Sequence, residues 1–153
     1  MGHDRITIRP AASGDAHVIA EFNRRIAEET EDLDLEPDTV RRGVEELLTD
    51  PARGLYRVAE MDGRVVAQML ITIEWSDWRC RWFWWIQSVY TAPEARGKGV
   101  FRALFEHVEA EARSREDVCG LRLYVEDGNE AAQAAYLKLG MERSQYVFYA
   151  KDL

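Results

Sequence analysis

The chain has 153 residues, of which 46% are apolar and 31% charged. That size suits one domain with a sizeable core, and the apolar share excludes a wholly disordered chain. Acidic residues outnumber basic ones 28 to 20, for a net charge of −8. This balance argues against nucleic acid and anionic membranes as partners, since both attract a basic face.

Cys80 and Cys119 stand far apart and in no CxxC pattern, so they read as reduced, buried thiols. His3, His17 and His107 have no partners at ligand spacing, and no metal site is assigned. No apolar run approaches the ~20 residues of a membrane span. The opening Met1-Gly2-His3-Asp4-Arg5 lacks the apolar centre of a leader, which makes the cytoplasm the expected location. With neither linker nor repeat, residues 1–153 read as a single domain.

Ile6 and Ile8 alternate with polar neighbours and predict a first strand over Arg5–Arg9. Ser13 suits the N-cap of a helix with Ile19, Phe22 and Ile26 on its apolar side, ending near Glu28. Glu28 to Glu36 then reads EETEDLDLE, six carboxylates in nine residues. Either a solvated acidic loop or an attractor for a cation fits that run. Pro37 opens a second helix whose buried stripe is Val40, Val44, Leu47 and Leu48. Leu55–Met61 and Arg64–Glu74 flank Asp62-Gly63, a strong hairpin signal.

Trp82–Tyr90 (WFWWIQSVY) is apolar on both faces and predicts a strand covered by helices. Alternation sends Trp82 and Trp84 to one face, Phe83 and Trp85 to the other. Trp75 and Trp78 precede it in a polar-aromatic connection and suit either an acceptor wall or plain exposure. Val100, Leu104 and Val108 mark a third helix, with Phe101 and Phe105 beside them, and Leu121–Val125 a fifth strand. A helix capped by Asp127 or Asn129 ends near Leu139, with Gly140 after it. Tyr146–Ala150 predicts a last strand. The order βααβββαβαβ implies an α/β (α+β) fold: a mixed, mostly antiparallel sheet with helices on both faces.

The chemistry concentrates at Arg96-Gly97-Lys98-Gly99-Val100, between a buried strand and a helix start. Two glycines let main-chain N–H groups point outward, and the helix end adds partial positive charge. A phosphate or diphosphate cradle and an ordinary solvated turn both fit the glycines alone. A Walker A loop is excluded because Gly99 follows Lys98, and a Rossmann loop because Arg102 stands where a small residue belongs.

Val89-Tyr90-Thr91-Ala92-Pro93-Glu94-Ala95-Arg96-Gly97-Lys98-Gly99 resembles the signature of the GNAT superfamily of acetyl-CoA-dependent N-acetyltransferases. Phe101 departs from it, standing where Gly or Ala is usual. Asn129 to Met141, with Ala132, Tyr136, Leu139 and Gly140, is similar to a second motif of that family. The resemblance spans nearly the whole chain and is most specific from Trp85 to Met141.

That resemblance implies acetyl transfer from acetyl-CoA, without a metal, to a primary amine by direct attack on the thioester. It implies pantetheine pairing around Val89 and Thr91, with an N–H at Val89 or Tyr90 for the oxyanion. The diphosphate would rest on Arg96, Gly97, Lys98, Gly99, Val100 and Phe101, and Asn129 would contact the cofactor. Tyr136 is the candidate general acid and thiol ligand. Many family members carry Glu where Gln87 stands, so the base is open: Glu74, Glu126, a water held by Gln87 and Ser88, or capture of neutral amine. The expected partner is a small cationic amine, with a homodimer left open. A non-catalytic coenzyme A-binding module and a peptide N-acetyltransferase are the competing readings.

Overall fold

Asp62 and Gly63 both adopt left-handed backbone, at φ 51° and 73°, the geometry that joins two right-twisted strands without splaying them. They connect β2 (Leu55–Met61) to β3 (Arg64–Ser76). Around this hairpin the computed structural model, which describes residues 5–153, places β1 (Thr7–Pro10), β4 (Arg81–Thr91) and β5 (Val118–Leu123). His3 and the beginning of the stretch read for a leader lie outside the described residues. The sheet order is β1-β2-β3-β4-β5, antiparallel except for the parallel β4–β5 pair. The expected α/β class and mostly antiparallel sheet are therefore present.

The described residues fall into two compact units, one ending at Leu123 and the other spanning Tyr124–Leu153. In the first, α1 (Ala16–Glu31) and α2 (Pro37–Thr49) cover one face of the sheet. Ile19, Ala20 and Val44 pack there on Tyr56, Val58 and Leu70, with Val40, Leu47 and Leu48 at the margin. The predicted stripe of α2 is thus the buried one. On the opposite face lies α3 (Val100–Arg113), whose Val100, Leu104, Phe105 and Val108 are buried. Each such side chain contributes about 2 kcal/mol by leaving water. Arg57 points to this face, and its guanidinium is ion-paired with Glu111 of α3.

Several boundaries differ from expectation. α1 runs to Glu31, three residues past Glu28, and ends where Asp32 turns left-handed at φ 51°. Three of the six carboxylates of the acidic run, Glu28, Glu29 and Glu31, are therefore on helix. β5 begins at Val118 rather than Leu121 because it must pair with Trp82–Ile86. Gly120 fits there because a Cβ would come within 3.1 Å of the Phe83 ring. Cys80 is exposed, not buried, and Cys119 is half-buried; both are free. The first sits at φ 53° in the turn before β4.

The second unit contains α4 (Glu130–Lys138), capped by Asn129, whose side chain accepts from the Ala132 amide. Gly140 follows at φ 87°, as the sequence requires. The expected last strand is not a strand: Tyr146–Ala150 has no sheet pairing, and Tyr146, Val147, Phe148 and Tyr149 are exposed. A short run of β-prone apolar residues alone cannot make a strand, which exists only through a hydrogen-bonded neighbour.

Asp15 joins the start of α1 to the sheet. Its carboxylate accepts from Arg9 at 2.7 and 3.0 Å and from the Ala12 amide at 2.7 Å. The Arg9 guanidinium holds the Asp15 carboxyl below its usual range. The associated stability is present above the ordinary carboxylate pKa and is lost as pH falls through the lowered value. Asp15→Asn is expected to cost about 2 kcal/mol at neutral pH. Thermal melts between pH 7 and pH 3 check this, and the variant should show the shallower loss.

Candidate functional site

Gln68 of β3 pairs with Tyr90 of β4, and Leu70 pairs with Gln87. Two residues therefore separate Gln87 from Tyr90 where only Met69 separates their partners. β4 carries a bulge at Ser88 and Val89, and Ser88 takes the left-handed conformation at φ 48°. A bulge bends its strand and withdraws a residue from the ladder. Its extra residue also resets the alternation, so Gln87 and Tyr90 share the α1 face. Pairing of β4 with β5 runs from Trp82 to Ile86, and residues 87–91 of β4 continue beyond it.

Past Thr91 the chain makes a short 3-10 turn at Pro93–Ala95 and then the glycine segment. Gly97 and Gly99 lie at φ 75° and 78°, and apart from their chain neighbours no atom stands within 4 Å of where a Cβ would be. Gly99 is the N-cap of α3. The first-turn amides of a helix have no intrahelical acceptor, so Val100, Phe101 and Arg102 present donors at the positive end of the α3 dipole. Main chain accessible to an anion thus lies one short turn from the bulge, within one unit.

The side chains the sequence singled out divide into groups. Arg96 points its guanidinium at Glu29 (2.9 Å) and at the Thr91 carbonyl (2.9 Å), and lies 5.4 Å from the Tyr90 ring centroid. Glu29 also accepts from the Tyr90 hydroxyl at 2.9 Å. That phenol holds the Glu29 carboxyl below its ordinary value, while burial pushes the Tyr90 phenol up. The Arg96 side chain therefore clasps β4 to α1, and its main chain belongs to the loop.

Gln87 lies on the α1 face and donates to Thr72 Oγ1 at 2.7 Å. Glu74 pairs in register with Phe83, whereas Leu70 pairs with Gln87. Four residues of strand, about 13 Å, therefore separate Glu74 from the level of Gln87. The Glu74 carboxylate is held by Arg122 at 2.9 Å, and Arg122 stacks 3.4 Å from the Phe83 ring centroid. Trp75 packs edge-on against Trp82 at 4.8 Å, and Trp78 is 86% exposed. Asn129, Tyr136 and Glu126 belong to the second unit. Tyr136 is half-buried, and burial pushes its phenol above the ordinary value.

Sequence reasoning missed a polar group under the bulge. Gln68, fully buried, donates from Nε2 to the Ser88 carbonyl (3.0 Å) and to Asn23 Oδ1 (2.7 Å), and Asn23 donates to the Tyr56 hydroxyl (3.0 Å). The signals were present: Gln68 interrupts the apolar run VVAQMLI, and Asn23 lies four residues after Ile19 on the helix's buried side.

The sequence model of the acetyltransferase (GNAT) family matches residues 19–141. A structure described as a possible acetyltransferase from Clostridium difficile 630 is 42% identical, covers 97% of each chain and superposes with a TM-score of 0.92. A predicted acetyltransferase from Clostridium acetobutylicum, solved with acetyl-CoA, is 16% identical, covers 96% of each chain and has a TM-score of 0.79. Ribosomal-protein-alanine N-acetyltransferase from Brucella melitensis biovar Abortus 2308 is 20% identical over 97% of this chain and 99% of that one, with a TM-score of 0.79. At such identities the last two share the fold. No curated protein matches the chain.

At Gly99 the open surroundings make a side chain a conformational problem, not a steric one. Valine disfavours left-handed backbone strongly, whereas asparagine tolerates it. Gly99→Val is expected to abolish coenzyme A binding and Gly99→Asn to weaken it less than about tenfold, as measured by titration calorimetry.

Proposed function

The chain belongs to the acetyltransferase (GNAT) family and is an N-acetyltransferase, and we propose that it moves the acetyl group of acetyl-CoA to the primary amine of a small cationic acceptor. The observation that carries this reading is the juxtaposition in one unit of a β4 bulge, a strand end running past its neighbour, and two left-handed glycines at a helix start. Acetyl-CoA supplies an acyl group already activated as a thioester. The open space around Gly97 and Gly99 fits close approach of a diphosphate to the main chain.

The amides of Gly97 to Phe101 then hold the diphosphate, and Val89 and Thr91 hold the pantetheine arm along β4. An N–H at the bulge meets the negative charge that builds on the acyl oxygen during attack. The resemblance of Asn129 to Met141 to the family's second motif supports Tyr136, a phenol that is protonated at neutral pH in any case, as the acid for the departing thiolate. Gln87 is an amide and cannot take a proton. It orients the amine, which enters in its neutral form.

Acceptor class is supported by charge. A cleft of about 340 Å³ beside the end of α1 is lined by Glu21, Glu28, Asp32 and Asp34 against Arg24 and Arg25. That excess of carboxylates, on a chain of net charge −8, favours an ammonium group over an anion or nucleic acid. Among the described residues no helix is long and apolar enough to cross a membrane, and the cytoplasm remains the proposed location.

The test is free-thiol release from acetyl-CoA across spermidine, an amino sugar, a neutral amine and a basic peptide. Turnover of spermidine or the amino sugar is expected. Peptide-only turnover would replace the small acceptor, and binding without any turnover would make the chain a coenzyme A-binding module. In the same assay Tyr136→Phe should lower kcat about 10²-fold while leaving acetyl-CoA binding within about threefold. Equal losses in both would remove Tyr136 from the acid role.

A further inference from the structure

The bulge at Ser88 is held from beneath by a residue with no place in the chemistry described so far. Gln68 is fully buried in β3. Its Nε2 donates to both the Ser88 carbonyl and Asn23, while its Oε1 is buried without a hydrogen-bond partner in the structure. A buried amide oxygen left unpaired is unfavourable, and a hydrophobic residue of similar size would avoid it. Retaining the amide gains only its two donated bonds, one of them to the strained residue. The second bond ties the same amide to α1: Asn23 accepts from Gln68 and in turn donates to the buried Tyr56 hydroxyl at 3.0 Å.

The direction of this grip matters. All peptide bonds of the described chain are trans, and a trans peptide points its N–H opposite to its C=O. With the Ser88 carbonyl drawn toward Gln68 on β3, the Val89 N–H is turned away from β3, toward the side of β4 that runs past β5. Between Val89 and Tyr90, the two candidates for the charge-stabilising donor, this geometry selects Val89.

We propose that Gln68 is a positioning residue for acyl transfer: by anchoring the Ser88 carbonyl it aims the Val89 N–H at the acyl oxygen of bound acetyl-CoA. The inference rests on the acetyl-CoA reading of the site. Gln68 touches neither cosubstrate nor acceptor and acts through one peptide plane. Asn23 of α1 holds the Gln68 amide in place and is itself tied to Tyr56 of β2.

The test follows backbone amide resonances of ¹⁵N-labelled protein titrated with acetyl-CoA and, separately, with coenzyme A. In the wild type the Gly97 and Gly99 amides should shift with both ligands, and the Val89 amide should shift differently with the two, because only one carries an acyl carbonyl. In Gln68→Met, which keeps the volume and loses both donors, the glycine shifts should persist and the Val89 difference should be lost. Gln68→Glu, the isosteric change, should lose it above the carboxyl's pKa and regain part of it below, where one donor returns. It also decides the matter if the methionine variant does not fold. A Val89 difference unchanged in these variants would overturn the role of Gln68 and leave the site standing. Glycine amides that respond to neither ligand in the wild type would overturn the acetyl-CoA reading itself, and the inference with it.

Discussion

The site depends on a mismatch of one residue between β3 and β4. Where Met69 alone spans the interval on one strand, Ser88 and Val89 span it on the other. Without that extra residue, alternation would send Tyr90 to the α3 face, away from Phe22, whose ring lies 5.0 Å from it. Tyr90 would also lose Glu29, and Arg96 would lose the ring over which its guanidinium lies. The same surplus withdraws a peptide from the ladder and so exposes main-chain donors. One local irregularity thus sets which side chains face α1 and which amides face outward.

The rest of the first unit keeps that irregularity in place. β2 and α3 are tied through Arg57 and Glu111, β1 and α1 through Arg9 and Asp15. Buried aliphatic side chains on both sheet faces hold the strands against twist and slip. Strain at Ser88 persists because its surroundings over-determine it, a pattern common at functional positions. Glycine serves differently at residues 97 and 99, where left-handed backbone is adopted without strain and no side chain intervenes.

Much of this was legible before any coordinates. Asp62-Gly63 specified its turn, Pro37 opened α2, and the spacing of Val100, Leu104 and Val108 identified the buried stripe of α3, because each is local chemistry. The helix start after the glycines was readable for the same reason, and so was a cap for α4, which the sequence left between Asp127 and Asn129 and the bond from the Ala132 amide assigns to Asn129. What escaped was non-local. The bulge is a relation between two strands, and nothing in the run Gln87-Ser88-Val89-Tyr90 shows that a residue is surplus to its neighbour. The clasp of Glu29 on Tyr90 and Arg96 spans more than sixty residues, and the run EETEDLDLE gave only a choice between solvated loop and cation attractor. At Tyr146–Ala150 the pattern suggested a strand, yet pairing is decided by a partner edge. Glu74 looked available by its place at a strand end, and only register revealed its distance from Gln87 and its bond to Arg122.

The hairpin joining β3 and β4 also carries an optical consequence. Trp75 and Trp82 sit opposite one another with ring centroids 4.8 Å apart and planes 68° from parallel. Indoles so close and so steeply inclined couple their electronic transitions, which gives a paired circular-dichroism band that vanishes when the strands part. Because β4 also bears Ser88 and Val89, the protein has a built-in chromophore on the strand that carries the bulge, and melting of that strand can be followed apart from the helices.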